Sequence, residues 1–307
     1  MRVWVRPWRF HFRAVDQILW PDGVPTNVLR GALGLTLRDL AGCDPKCRVS
    51  TDCVRSGGPV CAYQRIFAPR ATGGPSGFAD PPRPFVIRAG FAGERTEPGY
   101  SFSFDVHLFD RDPAVSIIIS ECLREAGRRG LGPERGRAVL EKVEMAAKDG
   151  SVVECDGTLP LPEAWELPWQ PVPGAPARLR IRFITPLELK SEGLLLRAAP
   201  PFAVLVARIR DRLSSLSYRY GEPVEGFDFR GIVERAKPVA LVESKTVFGH
   251  GTRFSSRTGQ HQPLSGFQGY AIYEGDFAES LGLLRSAYWT GVGSQTVWGH
   301  GAVDVGG

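Results

Sequence analysis

Hydrophobic spacing along this 307-residue chain switches between a period of two and a period of 3.6, and the same order of switches occurs twice. Apolar residues at every second position make one face of a strand; apolar residues three and four apart make one face of a helix. Residues 2–14 alternate, with Trp4, Trp8, Phe10 and Phe12 on one side and Arg9, His11 and Arg13 on the other. Residues 26–41 carry Val28, Leu29, Leu33, Leu37 and Leu40 at helical spacing behind the start signal Pro25-Thr26. Phe85–Arg88 reads as a strand, and 101–109 sets Phe102, Phe104, Val106 and Leu108 against Ser101, Ser103, Asp105 and His107. Asp112-Pro113 predicts a helix through about Ala126, ended by Gly127 and Gly130, before a strand over 136–147.

The second half repeats the pattern. A strand is expected over 177–189 (Leu179, Ile181, Phe183) and a helix on Phe202, Leu205, Val206, Ile209, Leu213 and Leu216. Strands near 237–249 and 266–274 follow. Asp276 and Glu279 form a capping-box pattern for a helix near 277–287, and a last strand is expected near 296–305. Two βαββαβ runs imply an α+β chain of two tandem ferredoxin-like domains, the fold also used by RNA-recognition modules. The expected domains are 1–158, with a Cys-, Gly- and Pro-rich insertion at about 42–82, and 177–307, joined by a Pro-rich linker over 159–176.

Composition narrows the function classes. Hydrophobic residues at 43% and charged residues at 23% exclude a disordered chain. No apolar run approaches the roughly 20 residues that span a bilayer, and Met1–Arg6 alternates apolar and basic residues without the apolar core of a signal peptide. A cytoplasmic protein with no membrane partner is expected. The net charge is +5, and arginine greatly outnumbers lysine. Guanidinium groups fork onto phosphate and stack on bases, which suits an RNA partner; a GC-rich genome would produce the same bias.

Four of the six cysteines, Cys43, Cys47, Cys53 and Cys61, fall in one short segment as C-x3-C-x5-C-x7-C. A reducing compartment disfavours disulfides, and four soft ligands could close a tetrahedral structural zinc site that pins a segment too rich in Gly and Pro to form a core. The alternative is free or partly packed thiols. Cys122 falls on the apolar face of its helix and reads as core.

Near the C-terminus, Gly291-Val292-Gly293-Ser294-Gln295-Thr296-Val297-Trp298-Gly299-His300-Gly301 has the form G-x-G-x5-G-x-G. It leads into a strand, unlike a dinucleotide fingerprint, and has no Gly-Lys-Ser/Thr of a Walker loop. Such glycines let peptide N–H groups approach phosphate, or simply make a tight turn. Arg253 and Arg257 sit among Ser, Thr, Gly and Gln, where phosphate contact or a solvated loop accounts for them. Arg208, Arg210 and Arg212 read as a solvated helix face.

That glycine pattern in that place resembles the signature of the RAMP superfamily of CRISPR-associated proteins. Further stretches resemble its branch that processes precursor crRNA. They are Phe183-Ile184-Thr185-Pro186-Leu187-Glu188-Leu189-Lys190, Leu29-Arg30-Gly31-Ala32-Leu33-Gly34, Cys61-Ala62-Tyr63-Gln64-Arg65-Ile66-Phe67, and Arg253–Arg257 with Gly266-Phe267-Gln268-Gly269. The resemblance implies an endoribonuclease that binds a CRISPR repeat and cuts it without metal or other catalytic cofactor. The 2′-hydroxyl attacks the adjacent phosphate, leaving a 2′,3′-cyclic phosphate and a 5′-hydroxyl. Such a site needs a base, an acid and donors for the phosphorane, roles that suit histidine and arginine. Of five histidines, His11, His261 and His250 are the catalytic candidates in that order. RNA contacts are expected from Arg9, Arg13, Arg30, Arg253 and Arg257, and from Gly291, Gly293, Ser294, Gln295, Gly299, His300 and Gly301 in the loop. His107 and His300 also read as a strand residue and a packed loop residue.

Two departures from the family pattern stand out. Residues 14–42, where relatives often carry the catalytic histidine, contain none, and Ser294 and Gln295 stand where many relatives have a lysine. They motivate an alternative function, a non-catalytic crRNA-binding RAMP subunit of a CRISPR effector complex with other effector subunits as partners. A third reading is a zinc-stabilised nucleic-acid-binding protein outside CRISPR.

Overall fold

The computed structural model describes residues 1–21, 24–43, 61–69, 81–91, 93–155, 161–249, 252–255, 260–263 and 265–306, with the backbone alone for 252–255 and 260–263. The chain divides into two compact units, one of Trp4–Trp165 and one of Met1–Val3 with Glu166–Gly307. Among the described residues no helix is long and apolar enough to cross a membrane.

The first unit runs β1 (Trp4–Ala14), α1 (Pro25–Leu40), α2 (Ala62–Ile66), β2 (Phe85–Ala89), β3 (Ser101–Leu108), α3 (Pro113–Arg129), β4 (Ala138–Ala146) and β5 (Val152–Cys155). Its antiparallel sheet has the order β2-β3-β1-β4-β5. The first and third strands of the βαββαβ run therefore lie in the middle. Trp8, Phe10 and Phe12 of β1 and Phe102, Phe104 and Val106 of β3 share one core with Leu29, Leu33 and Leu37 of α1 and Val115, Ile119, Cys122 and Leu123 of α3. Cross-strand rings stack there, Phe10 on Phe104 at 5.7 Å and Phe12 on Phe102 at 5.6 Å between centroids. Each phenylalanine buried this way contributes about 1.5–3 kcal/mol. The alternate residues Arg9, His11 and Arg13 are thereby turned to the face the helices leave open.

The second unit runs β6 (Arg178–Leu187), α4 (Phe202–Tyr220), α5 (Gly231–Ala236), β7 (Ala240–Gly249), β8 (Thr252–Ser255), β9 (Gln260–Pro263), β10 (Gly266–Glu274), α6 (Leu281–Thr290) and β11 (Val303–Gly306). Its four-stranded antiparallel sheet has the order β7-β10-β6-β11, and β8 pairs with β9 in a separate hairpin. Numbered within their own βαββαβ runs, both sheets thus read 2-3-1-4. Met1–Val3 joins this unit through the backbone of Arg2, which exchanges hydrogen bonds with Glu222 at 2.9 and 3.0 Å.

Several local expectations are corrected. Helix α3 continues past Gly127 to Arg129 and stops at Gly130. Gly127 is a packing residue, since a Cβ there would stand 2.8 Å from both the Ala138 carbonyl oxygen and the Phe12 ring. His107, expected on a solvated face, is buried beside its cross-strand neighbours Pro7 and Val86, which are buried too. Helix α6 starts at Leu281 instead of 277. Asp276 does accept from the Ala278 N–H at 2.9 Å, but it caps a turn that seats buried Phe277 against Phe202, and Glu279 pairs with Arg235. The last strand starts at Val303, because Gln295 and Gly299 both adopt left-handed backbone around a short helical turn at Thr296–Trp298.

Gly34 of α1 faces the Phe67 ring, and a Cβ there would lie 2.2 Å from the ring tip. That ring is held by Tyr63 and Phe85, at 5.6 and 6.4 Å between centroids. Gly34→Ala is expected to destabilise the protein by about 1–3 kcal/mol through overpacking, read as a lower urea midpoint at unchanged slope.

Candidate nucleic-acid interface

The open face of the first unit carries charges matched across strands. Arg88, Asp105, Arg9 and Glu144 stand in one register row from β2 to β4. Arg9 grips Asp105 with two bonds of 2.6 and 2.9 Å, and Arg13 pairs with Glu141. His11 lies in the next row, its Nε2 2.7 Å from Glu144 Oε2, while Lys142 Nζ holds the other carboxylate oxygen at 2.5 Å. Lys142 first, then His11, keep the Glu144 carboxyl below the usual glutamate range. With the proton on Nε2, His11 donates to Glu144 and leaves Nδ1 as its basic nitrogen. A carboxylate-oriented imidazole of this kind can take a proton from a hydroxyl. An open groove of about 700 Å³ runs along this face, lined by Arg9, His11, Arg88, Arg95, Tyr100 and Asp105 among others. Tyr100 is 69% exposed at its rim.

Two of the family-like stretches meet each other within this unit. Besides the seat of Phe67 on Gly34, the Arg30 guanidinium lies 4.5 Å from the centre of the Phe67 ring. Arg30, expected to meet RNA, therefore braces α1 against the end of α2. Arg65 binds buried Asp110 through bonds of 2.8 and 2.9 Å and reaches Asp112 at 2.9 Å. Asp112 in turn caps α3. This ties α2 to the turn between β3 and α3.

The C-terminal stretches also converge, within the second unit. The end of β6 supplies acceptors to the glycine loop: Pro186 O takes the Gly301 N–H at 2.9 Å and Glu188 O takes the Ser294 N–H at 3.1 Å. Thr185 Oγ1 accepts from the Ala302 N–H, and the Gln295 side-chain amide donates to Glu188 Oε2 at 2.8 Å. From β10, the Gln268 amide donates to Ile184 O at 2.9 Å. The loop is thus tied to the end of β6 at Gly301 and, just past that strand, at Ser294 and Gln295, while Val292, Trp298 and Gly299 donate within the loop. Gly291, Gly299, His300 and Gly301 are buried, Gly293 and Gln295 are half-buried, and Ser294 is exposed.

His250 and Arg257 lie outside the described residues, as do Cys47 and Cys53. His261 and Arg253 are placed by backbone only, on facing strands of the β8–β9 hairpin, with His261 opposite Phe254 and Arg253 opposite Gln262. Cys43 is partly buried, and Cys61 is buried as the N-cap of α2, its sulfur accepting from the Gln64 N–H at 3.4 Å. Such N–H contact is compatible with a metal-bound thiolate.

Sequence reading missed two features. Glu144 has no sequence signal, because its partnership with His11 depends on the register between β1 and β4. The run Arg178-Leu179-Arg180-Ile181-Arg182 was legible as alternation but noticed only for its apolar side.

Comparison with known proteins gives a consistent picture. Residues 181–303 match the family model of the CRISPR-associated endoribonuclease Cas6, and residues 4–163 match a model described as an N-terminal domain. No curated protein matches the chain. Among solved structures, a Cas6 product complex is similar with a TM-score of 0.56 at 16% identity, over 98% of both chains. Thermus thermophilus Cas6 is similar with a TM-score of 0.54 at 14% identity, over 99% of this chain and 98% of that one. A partial Cas6-RT-Cas1–Cas2 complex gives 0.59 at 12% identity, over 99% of this chain and 46% of the other. At these identities the likeness is one of fold, two antiparallel sheet-bearing α+β halves.

Gly301 has φ of +71°, and a Cβ there would stand 2.0 Å from the Val292 carbonyl oxygen. Gly301→Ala is expected to destabilise by about 1–3 kcal/mol, seen as a lower thermal midpoint. Stability equal to the unaltered protein would show that the loop's closure on β6 is dispensable.

Proposed function

We propose that this chain, which belongs to the Cas6 family of CRISPR-associated endoribonucleases in the RAMP superfamily, cuts precursor crRNA within its repeats by a metal-independent reaction at the open face of its first unit. The observation that carries this reading is the His11–Glu144 pair at 2.7 Å beside a groove lined by arginines. His11 Nδ1 takes the proton of a ribose 2′-hydroxyl. The 2′-oxygen forms its bond to the adjacent phosphorus, the bond from phosphorus to the 5′-oxygen breaks, and an acid returns a proton to that oxygen. The products are a 2′,3′-cyclic phosphate and a 5′-hydroxyl, and the nucleophile is already part of the substrate. Arginines of the groove stabilise the phosphorane.

The wider assignment follows from the same reading. The two 2-3-1-4 sheets are tandem ferredoxin-like domains working on one RNA. Arg253, on β8, and Arg257 contact phosphate, and His261 and His250 are the next candidates for the acid or base. Ser294 is the glycine-loop residue placed to meet RNA. One similar structure, a Cas6 product complex, fits a protein that holds its RNA after the cut, and another, a Cas6-RT-Cas1–Cas2 complex, is a precedent for partner proteins. The cytoplasm is the compartment that keeps the cysteines reduced.

Repeat RNA from the array beside the gene, incubated with the protein in EDTA, is expected to be cut once, and a 2′-deoxy substitution at that position to abolish the cut. His11→Ala is expected to slow cleavage by about 10²–10⁴-fold. Binding without a cut would replace the enzyme with an RNA-holding subunit, the reading favoured by the absence of histidine from residues 14–42. Cys43, Cys47, Cys53 and Cys61 are proposed to hold one structural zinc. Metal analysis should find one equivalent in the purified protein and none in Cys61→Ser; a metal-free native chain would overturn that assignment.

A further inference from the structure

Arg178, Arg180 and Arg182 alternate along β6 with buried Leu179, Ile181 and Phe183, so all three stand on the sheet face opposite α4 and α6. Two are neutralised. Arg178 pairs with Glu274 at 3.1 Å, and Arg182 pairs with Asp304. Arg180 is different: among the described residues no ion pair is formed by it, and its guanidinium carbon lies 3.9 Å from the centre of the Tyr270 ring on β10. The Tyr270 hydroxyl donates to Glu243 Oε1 at 2.6 Å, which fixes the ring under the guanidinium. Lys245 stands opposite Tyr270 in the register with β7 and adds another cation.

We infer that Arg180, held over the Tyr270 ring, is a stacking platform for an unpaired base of bound RNA. Three observations converge on it. A guanidinium stacked on one face by an aromatic ring offers its other face to a second π-system, and nucleobases stack readily on arginine planes. β6 and β10 are the two central strands of the β7-β10-β6-β11 sheet, the strands from which RNA-recognition sheets stack bases. Finally, residues two apart on a strand are about 6.4–6.8 Å apart, comparable to one phosphate step of an extended single strand. Arg178 and Arg182 therefore lie one step to either side, where each can exchange its carboxylate for a phosphate. The inference rests on the RNA reading above, and it assigns a nucleotide subsite in the second unit that is separate from His11.

The test uses the full chain and two forms of the repeat hairpin, one bare and one extended by a single-stranded flank carrying 2-aminopurine at successive positions. The unaltered protein is expected to bind the flanked form more tightly and to quench 2-aminopurine at one position, as stacking does. Arg180→Ala is expected to lose the quench and to reduce the advantage of the flank about tenfold. Arg180→Lys keeps the charge but not the plane, and is expected to lose the quench as well. A quench retained in Arg180→Lys, or at no position in the unaltered protein, would overturn the stacking platform. Equal binding of bare and flanked hairpins would also sink it while leaving the RNA reading standing; binding of neither would bring down both.

Discussion

Two helices packed on one face of each sheet leave every second residue of the central strands on the other, and charges placed there are met by one another, by water or by a ligand. That constraint organises the molecule. Phe10, Phe12, Phe102 and Phe104 commit one side of β1 and β3 to the core, which forces Arg9, His11 and Asp105 to the other. Antiparallel register then decides who meets whom, so that Arg9 lies opposite Asp105 and His11 reaches diagonally to Glu144. In the second unit the same geometry puts Arg178, Arg180 and Arg182 on one face and stacks the middle one on Tyr270. The chemistry available to each open face is a by-product of how the opposite face is filled.

The stretches that carry the family resemblance are, in large part, contacts with each other. Gly34 exists at its position to admit Phe67, and Arg30 closes over the same ring. Thr185, Pro186 and Glu188 accept from the loop that contains Gly293 and Gly301, and Gln268 returns to Ile184. Residues far apart in the chain are thus bound by a few hydrogen bonds and close approaches, each worth about a kilocalorie per mole but dependent on the others. A degenerate motif survives in such an arrangement because the backbone geometry is what must be kept. The exposed Ser294 side chain stands outside that geometry, whereas the Gln295 amide is part of it.

The element order was legible because strands and helices of this length announce their period, and the alternation over 101–106 and 178–183 reads directly as buried and open faces. What failed was local. The Asp276 and Glu279 pattern looked like a capping box, yet Phe277 had to reach the core first, so the helix begins a turn later. Gly127 looked like a stop, yet it marks a point where α3 passes close to Phe12 of β1 and Ala138 of β4. The last strand was placed too early because left-handed Gln295 gives no warning in sequence; only glycine advertises that conformation. For the site, His11 was visible as a polar-face histidine, but Glu144 and Tyr270 were not, since each is defined by a cross-strand partner and register lies beyond local pattern.

Ion-paired arginines raise the question of how an anionic ligand could use this surface at all. An exposed ion pair is worth about 0–1 kcal/mol, so breaking Arg9 from Asp105 or Arg178 from Glu274 costs little in itself. The displaced carboxylate remains nearby, however, and repels the incoming phosphate. A basic residue held by a carboxylate therefore positions RNA weakly and sensitively to salt. Arg180 escapes this cost because its partner is a ring, which holds the guanidinium without neutralising its charge. His11 turns the same situation to use, since the carboxylate that would repel a phosphate also orients the imidazole. On such a surface the residues best placed to serve an anionic ligand are accordingly those whose protein partners do something other than cancel charge.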